Sequence, residues 1–496
     1  MKEWIEKFKN REHKMPKVWQ SLVVLLVLIA SLAIGILVFG ADAHVPLLIG
    51  VAAAAIMAIF IGYKWNEIEQ FMIKGIAKSL QSVVILILIG VLVGIWIVAG
   101  IVPTMIYYGL AILKPQIFFL AALIICSISS LATGSSWGTM GTMGVALLGI
   151  AHGLGMDIGI TAGAIVSGAY FGDKLSPLSD TTNLAPSMAG TDVITHIKHM
   201  LPSTIVVYTI CVIFFTIMGF VKYNGGDTDL GQVELYMTTL KETFYISPVL
   251  FIAPIVVIVA IALKLPAIPG IALGILVGAI FGLIFQKDCS LGEIFSCGMN
   301  GYEASTSVEA INELLTNGGI DNMTYAITLI VIAMAFGGIM EETHLLGVLV
   351  DKLKKLAKTP GGLVTITEVT CVASNFVVPD QYISIIIPGR MYAEEYKNKD
   401  LSPSSLSNAL ESAGTVTSAL VPWNTCGAYI STNLGVTVIQ YGPWAVFNWL
   451  MPIVTVIMAY LGLNLKDSEG KLLFKKRREA RLQKQEEDNK EKNSLE

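Results

Sequence analysis

Charged residues are scarce in this sequence. Asp, Glu, Lys and Arg together make up 14% of its 496 residues, against about 25% in an ordinary soluble domain. Hydrophobic residues make up 54%, and the mean hydropathy is +0.69. Apolar runs of roughly 17 to 25 residues recur along the chain, and each can cross a hydrocarbon layer of about 30 Å as a helix. The sequence predicts an all-α polytopic membrane protein that has the lipid bilayer as its partner, binds no nucleic acid and is not an enzyme.

Cysteine is also sparse, with six residues in the whole chain. Four of them fall in apolar segments, and the other two, Cys289 and Cys297, are too far apart for a CxxC site. This arrangement predicts neither a disulfide nor a metal centre. We therefore expect no cofactor.

Eight apolar segments have the composition of ordinary membrane spans. They cover about residues 18–40, 45–63, 83–110, 201–221, 245–264, 267–286, 323–340 and 444–463. Two further stretches, 116–151 around "LATGSSWGTMGTMG" and 361–390 around "ASNFVVPDQY", have the pattern of re-entrant hairpins. Another two, 158–187 and 408–432, have the pattern of crossings that break at "DKLSPLSDTTN" and "GTVTSALVPWNTCG". Together they predict about ten transmembrane helices and two re-entrant hairpins.

The basic residues predict the orientation, because translocation of positive charge across a membrane is disfavoured. Lys and Arg residues before position 18 place the N-terminus in the cytoplasm of a bacterium, with the protein in the plasma membrane. The stretches 222–244 and 287–322 are acidic and are expected outside, whereas the lysines of 351–358 are expected inside. With these assignments the C-terminal tail is also cytoplasmic.

Each half of the chain then holds five crossings and one hairpin. Because five is odd, the halves are predicted to be two inverted-topology repeats with discontinuous helices at the midplane, an architecture of many secondary transporters. The predicted pairing across the halves joins Pro177, Asp180 and Thr181 to Pro422, Asn424 and Thr425. The expected organisation is a cytoplasmic amphipathic N-terminus (1–17), a first repeat (18–225), an extracytoplasmic linker (226–244), a second repeat (245–465) and a cytoplasmic charged tail (466–496).

Polar side chains are concentrated at the four interruptions, where non-helical backbone at membrane depth needs polar partners. Their oxygen atoms are hard ligands that suit alkali cations better than soft metals. Asp180 is the predicted main exchange carboxylate and Asp173 the second, and Na⁺ itself is expected at Asp180, Thr181 and Asn424. A carboxylate that is partly removed from water holds a proton more readily unless a cation is bound, so Na⁺ and H⁺ are expected to compete. The predicted cation or proton ligands are Asp180, Asp173, Thr181, Thr182, Asn183, Ser135, Ser136, Thr133, Asn424, Thr425, Glu368, Asp380, Gln381 and Glu411.

Three stretches resemble the NhaC family of sodium–proton antiporters, namely "ATGSSWGTMGTMGVA" (132–146), "SGAYFGDKLSPLSDTTNLAPSMAGTD" (167–192) and "LESAGTVTSALVPWNTCGAY" (410–429). The resemblance extends over essentially all of the membrane region. It implies a fold in which hairpins and broken helices meet at a central cation site. The family also includes an exchanger of malate and protons against sodium and lactate. Where family patterns often have "EDSGT", this chain has "ESAGT" from Glu411, so the resemblance implies a missing carboxylate at Ser412 and more weight on Asp180 and Glu411.

We expect a secondary active transporter that exchanges Na⁺ for H⁺ by alternating access. A close alternative is a Na⁺-coupled exchanger of small carboxylates, in which Arg390 or Lys174, or hairpin N–H groups near Ser135 and Ser374, receive the anion. An intramembrane aspartyl protease and an ion channel are interpretations from other classes. The paired breaks and the hydroxyl groups around Asp180 argue against the protease, and a pore needs no proton-exchanging carboxylate. A homodimer is expected by analogy alone.

Overall fold

The chain is helical throughout the part that the structure describes. This computed structural model covers residues 14–222 and 230–474, apart from positions 264, 288, 355 and 379. Within these residues there is no β-strand, and the few β-bridges are isolated. Residues 1–13 of the predicted amphipathic N-terminus, the start of the predicted linker (226–229) and the tail from 475 onward lie outside the described residues.

The first half of the chain, up to residue 222, contains eleven α-helices among its described residues. They are α1 (Val18–Ala33), α2 (His44–Ile61), α3 (Trp65–Lys78), α4 (Leu80–Val98), α5 (Ile101–Ile112), α6 (Phe118–Thr133), α7 (Ser136–Thr139), α8 (Val145–Gly153), α9 (Ile158–Leu175), α10 (Asp180–Ala189) and α11 (Val193–Lys222). Short π-helical segments at Ile34–Val38 and Met140–Gly144 and a 3₁₀ turn at Pro115–Ile117 complete this half.

The second half continues the same architecture over the described residues from 230 to 474. Its helices are α12 (Leu230–Thr243), α13 (Ile252–Ala262), α14 (Ala267–Phe285), α15 (Leu291–Asn300), α16 (Glu309–Leu315), α17 (Gly319–Glu342), α18 (Leu345–Lys354), α19 (Pro360–Val377), α20 (Gln381–Asn398), α21 (Pro403–Ala409), α22 (Thr425–Leu434), α23 (Val438–Tyr441) and α24 (Val446–Leu461). A π-helical segment at Leu410–Thr415 and 3₁₀ segments at Pro248–Phe251, Val416–Leu420 and Gly442–Trp444 link some of them.

Long apolar helices give the chain the surface of a membrane protein. Among the described residues, six helices are long and apolar enough to cross a membrane, or eight if each of two bent helix pairs is one span. The outer side of α11 shows the expected lipid-facing character, since Ile205, Ile213, Ile217 and Phe220 are 51–59% exposed. The predicted multi-pass all-helical class is confirmed, while the count of about ten crossings and two hairpins stays a prediction.

One predicted span is divided in two. The segment 83–110 was expected to be a single crossing, but α4 ends at Val98 and α5 begins at Ile101. Gly100 adopts a left-handed conformation with φ of +73°, which turns the chain between the two helices. The side-chain amide of Gln286 donates to the carbonyl of Ala99 at 3.0 Å, so the break has a polar partner.

All four predicted interruptions are present. In the first half, α6 and α7 are separated at residues 134–135, and α9 and α10 are separated at 176–179. In the second half, α19 ends at Val377 and α20 begins at Gln381. The 3₁₀ segment before α22 ends at Leu420, four residues before Asn424. Local Gly, Pro and Ser signals were therefore sufficient to find these breaks.

Element boundaries recur along the chain at a constant spacing of 245 residues. Three of the pairs are N-caps, namely Ser135 and Asp380, Asp157 and Ser402, and Ser179 and Asn424. Pro115 and Pro360 both begin a helical segment, and Leu175 and Leu420 both end one. Gly190 and Gly435 are both left-handed C-caps. A tertiary contact recurs as well. Ser130 donates to the carbonyl of Ala169 at 2.6 Å, and Asn375, 245 residues later, donates to that of Gly414 at 2.8 Å.

This spacing corrects the predicted pairing of the two breaks by one residue. Asn424 was expected to match Asp180, but Asn424 is the N-cap of α22 and its counterpart is Ser179, the N-cap of α10. Asp180 therefore matches Thr425. The physical reason is that the capping side chain fixes where each half-helix begins, and Ser and Asn are both good caps.

Close packing of α6 against α9 positions the end of α9. A Cβ atom added to Gly168 would lie 2.3 Å from the carbonyl oxygen of Leu123, and one added to Gly172 would lie 2.4 Å from that of Ser127. Only glycine allows the two backbones to approach this closely. Asp173, the residue after Gly172, is thereby held against the loop between α6 and α7.

Candidate functional site: a cavity at the broken helices

Three of the four interruptions border one cavity of about 450 Å³. The loop between α6 and α7, the break between α9 and α10, and the start of α20 all contribute to its wall. Two carboxylates line it, and no basic side chain among the described residues does. The cavity therefore favours a positive ligand. Its polar lining includes Thr133, Ser135, Ser136, Asp173, Asp180, Gln381 and Tyr382.

Asp173 is the buried carboxylate of this cavity. It is 4% exposed, and its Oδ2 accepts a hydrogen bond from the hydroxyl of Ser136 at 2.8 Å. Its Oδ1 and the hydroxyl of Thr133 are both buried without a hydrogen-bond partner. Thr133 is also the last residue of α6, and a helix C-terminus carries partial negative charge. These oxygen atoms together can hold a small hard cation.

Asp180 lines the same cavity but is exposed. Its Oδ2 accepts a hydrogen bond of 2.6 Å from the phenol of Tyr382, the second residue of α20. Asp180 was expected to be a carboxylate partly removed from water, and this part of the expectation is wrong because Asp180 is exposed. Asp180 begins α10 at the cavity mouth, whereas Asp173 lies in the packed last turn of α9.

Several predicted ligands satisfy the broken backbone. The hydroxyl of Thr182 donates to the carbonyls of Asp173 and Lys174 at 3.0 and 3.2 Å. The amide of Asn183 donates to the carbonyls of Pro177 and Ser179 at 2.9 and 2.6 Å. Carbonyls freed by a helix break at membrane depth are costly without such donors.

The junction between α19 and α20 contains two more predicted residues. Asp380 caps α20, with its Oδ1 accepting hydrogen bonds from the N–H groups of Tyr382 and Ile383. Its Oδ2 is buried without a partner. Gln381 lines the cavity and accepts a hydrogen bond from the Cys426 thiol at 3.2 Å. Between α6 and α7, Ser135 has a similar role as the N-cap of α7 and accepts a hydrogen bond from the N–H of Gly138.

Asn424 lies in a separate amide pair. Its Nδ2 donates to the carbonyl and side-chain oxygens of Asn375 at 3.2 and 3.1 Å, and its Oδ1 accepts from Thr425 and Cys426. No hydrogen bond joins Asn424 to Asp180 or Thr181 in the described residues, and of these three predicted Na⁺ ligands only Asp180 lines the cavity. The Na⁺ site at the three residues stays a prediction. Asn375 was missed from sequence, although its position within the predicted second hairpin was a usable signal.

A second group of charged residues lies in the interior behind the cavity. Lys174 and Glu411 are 0% exposed and Glu368 is 2% exposed, and none of them lines the cavity. The hydroxyl of Thr181 donates to Glu411 Oε1 at 3.1 Å, and Lys174 Nζ donates to Ser412 Oγ at 3.1 Å. The sequence analysis included both glutamates as predicted ligands but considered Lys174 as an anion receptor or as an ion-pair partner of Asp173. Its position next to Asp173 inside an apolar helix was the available signal.

Two histidines near this group are also buried. The sequence pattern places His196 and His199 on a solvated connector, but the structure has them 0% and 2% exposed in α11. His196 contacts the hydroxyl of Ser407 at 2.8 Å, and His199 contacts the carbonyl of Asn464 at 3.1 Å. Arg390, the other suggested anion receptor, is exposed and does not line the cavity.

An all-helical membrane chain whose broken helices meet at an acidic cavity has the features of a secondary transporter. The model of the Na⁺/H⁺ antiporter family matches residues 168–463. The chain belongs to this family, as the sequence motifs predict.

The relatives that match almost the whole length of this chain are named for different transported substrates. The chain is 35% identical to the Na⁺/H⁺ antiporter NhaC of Alkalihalophilus pseudofirmus, covering 90% of this chain and 96% of that protein. It is 37% identical to the malate-2H⁺/Na⁺-lactate antiporter of Bacillus subtilis, covering 91% and 96%. It is 36% identical to the arginine/ornithine antiporter ArcD of Halobacterium salinarum, covering 92% and 95%. All three are antiporters, so the expectation of a transporter and not an enzyme is confirmed.

Proposed function

We propose that this chain exchanges Na⁺ for H⁺ across the bacterial plasma membrane by alternating access and needs no cofactor besides the transported ions themselves, which are its substrates. The observation that carries the proposal is the buried Asp173 carboxylate, which faces the cavity with one unpartnered oxygen. Membership in the Na⁺/H⁺ antiporter family supports the choice of ions.

In this proposal Na⁺ binds to Asp173 and the hydroxyls of Thr133 and Ser136, and Asp180 attracts it at the cavity mouth. Net negative charge that is removed from water without compensation costs several kcal/mol, whichever of the buried carboxylates carries it. The carrier therefore changes its accessible side only when a cation or a proton is bound. That restriction is what makes the movement of one ion depend on the other.

We further propose that segments 18–225 and 245–465 are inverted-topology repeats forming about ten crossings and two hairpins. Support comes from the element boundaries that recur at a spacing of 245 residues and from the odd number of predicted crossings per half. Residues 1–17 and 466–496 are cytoplasmic in this scheme, and the linker 226–244 is outside. The homodimer is retained as a proposal by analogy.

The test is a transport assay with the purified chain in lipid vesicles. Internal pH is followed while Na⁺, Li⁺, K⁺, malate, lactate, arginine and ornithine are varied one at a time. We expect an imposed Na⁺ gradient to move protons without any organic solute. Asp173→Asn should abolish this movement, while Glu342→Gln, which removes a partly exposed carboxylate paired with Lys74, should not. Proton movement that Na⁺ does not affect would contradict the proposal.

The exchange of small carboxylates is the second candidate, because the relative named as a malate/lactate antiporter is equally similar and the cavity is large enough for more than a bare ion. The acidic lining opposes it, since an organic anion would meet Asp173 and Asp180 with no basic side chain among the described lining residues. A strict requirement for malate or lactate in the same vesicles would favour this candidate.

A further inference from the structure

Three interior side chains, which we call the lysine–glutamate cluster, are charged groups that the cation site does not use. They are Lys174 at the end of α9, Glu368 in α19 and Glu411 in the π-helical segment Leu410–Thr415. All three are at most 2% exposed and lie outside the cavity lining. The two halves of the chain both contribute to the cluster.

The cluster has fewer hydrogen bonds than its charges require. Both carboxylate oxygens of Glu368 and Oε2 of Glu411 are buried without a partner. Lys174 Nζ donates to Ser412, and none of the ion pairs within 4 Å among the described residues includes it. A buried ionised carboxylate without donors is costly, so this arrangement is stable when one carboxyl carries a proton.

Electrostatic contacts connect the cluster to the cation site. The charges of Glu411 and Glu368 both act on Lys174, and the charge of Glu411 also acts on Asp173. If Asp173 and the cluster are all ionised, their three carboxylates and one ammonium carry two net negative charges. One Na⁺ at Asp173 or one proton in the cluster reduces this to one. Either ion therefore produces the same net charge in the interior.

We propose that the lysine–glutamate cluster is the proton site of the exchanger and is separate from the cation site at Asp173. The inference rests on the proposed function. When Na⁺ leaves Asp173 for water, a proton from water forms an O–H bond with a Glu368 oxygen. When Na⁺ returns, that bond breaks and the proton is released to water. Lys174 remains an ammonium and compensates Glu411.

The groups that face the cluster support the assignment to Glu368. Asp180 from the first break acts on Glu411, and the charge of Lys174 also acts on His196 of α11. The charge of Glu368 acts on the thiol of Cys371 and the phenol of Tyr396, and the charge of Lys174 acts on Glu368. Glu411 differs from Glu368 because it already accepts a hydrogen bond from Thr181.

The experiment separates sodium binding from proton coupling in the same vesicles. One assay measures ²²Na⁺ exchange against unlabelled Na⁺ at equal pH, which needs no proton. The other measures proton movement driven by a Na⁺ gradient. Glu368→Gln should lower the rate of sodium-driven proton movement by at least about tenfold, which corresponds to about 1.4 kcal/mol or more. The same variant should keep the rate of ²²Na⁺ exchange within about twofold of the wild type. Asp173→Asn should abolish both, and Glu342→Gln should change neither.

Two results would overturn the inference. Glu368→Gln could keep sodium-driven proton movement at the wild-type rate, or it could lose both activities together although Glu368→Asp keeps both. If Glu368→Gln does not fold, the pH profile of sodium-driven proton movement by Glu368→Asp tests the inference instead. Because this variant moves the carboxyl, we expect its profile to shift while the KM for Na⁺ stays constant. An unchanged profile would contradict the proton site. Wild-type vesicles without any ²²Na⁺ exchange would instead refute the proposed function itself.

Discussion

Ser412 determines how the charge of Lys174 is balanced. Its hydroxyl is 3.1 Å from Lys174 Nζ, at a position where related sequences were expected to have a carboxylate. Because Ser412 carries no charge, the ammonium of Lys174 compensates the more distant carboxylates of Glu411 and Glu368. Single polar side chains at such a depth have large electrostatic effects because the surroundings screen charge weakly.

Ser412→Asp should therefore shift proton coupling. A new carboxylate beside Lys174 would neutralise the ammonium and leave the two glutamates more negative, so the interior would keep its proton to higher pH. We expect the pH profile of sodium-driven proton movement to move in the alkaline direction by about 1 unit or more. The neutral variant Ser412→Asn is the matched control and should keep the wild-type profile. A shift in the acidic direction would contradict the charge balance.

Which of two nearby carboxylates is buried was beyond sequence analysis. Asp173 and Asp180 have similar neighbours along the chain, and their difference in exposure comes from α6 and α20, which approach from elsewhere in the sequence. Tyr382, 202 residues after Asp180, supplies its hydrogen bond. Asn375 and Lys174 were underrated for the same reason, because their partners are defined only by tertiary packing.

At the scale of elements, the contact between α6 and α9 holds Asp173 against Ser136. Gly168 and Gly172 allow this approach, since any Cβ there would meet backbone oxygen atoms closer than 2.5 Å. The break between α9 and α10 also has local support, because the Thr182 and Asn183 side chains donate to carbonyls beside it.

Gly172→Ala should separate α9 from α6 and disturb the adjacent carboxylate. We expect the KM for Na⁺ to rise by about tenfold, which corresponds to about 1.4 kcal/mol of lost binding. Gly347→Ala in α18 is the control, because an added Cβ there meets nothing within 4 Å. Equal effects of the two substitutions on the KM would show that the close contact does not position the site.

The breaks were predictable from sequence because Gly, Pro and Ser interrupt apolar runs in a local pattern. The same signal was present at Gly100, followed by Pro103, yet the run around it was long and apolar enough to suggest one span. The shift of one residue in the pairing of Ser179 with Asn424 was not visible either. It depends on which residue caps each half-helix, and both Ser179 and Asp180 are suitable caps.

At the scale of the whole molecule, the spacing of 245 residues predicts that equivalent loops lie on opposite sides of the membrane. Asp192 and Thr437 are exposed, precede equivalent helices and are 245 residues apart. With the six native cysteines replaced, Asp192→Cys should react with an impermeant maleimide only from the cytoplasmic side. Thr437→Cys should react only from outside. Labelling of both from one side would contradict the inverted repeats.

The central claim is that Asp173 holds the transported cation, and direct binding of ²²Na⁺ to the purified protein tests it without any transport step. We predict saturable binding to the wild type and to Glu368→Gln, and a loss of affinity of at least about 100-fold, or about 2.7 kcal/mol, for Asp173→Asn. Asp173→Asn that binds ²²Na⁺ with wild-type affinity would contradict the claim.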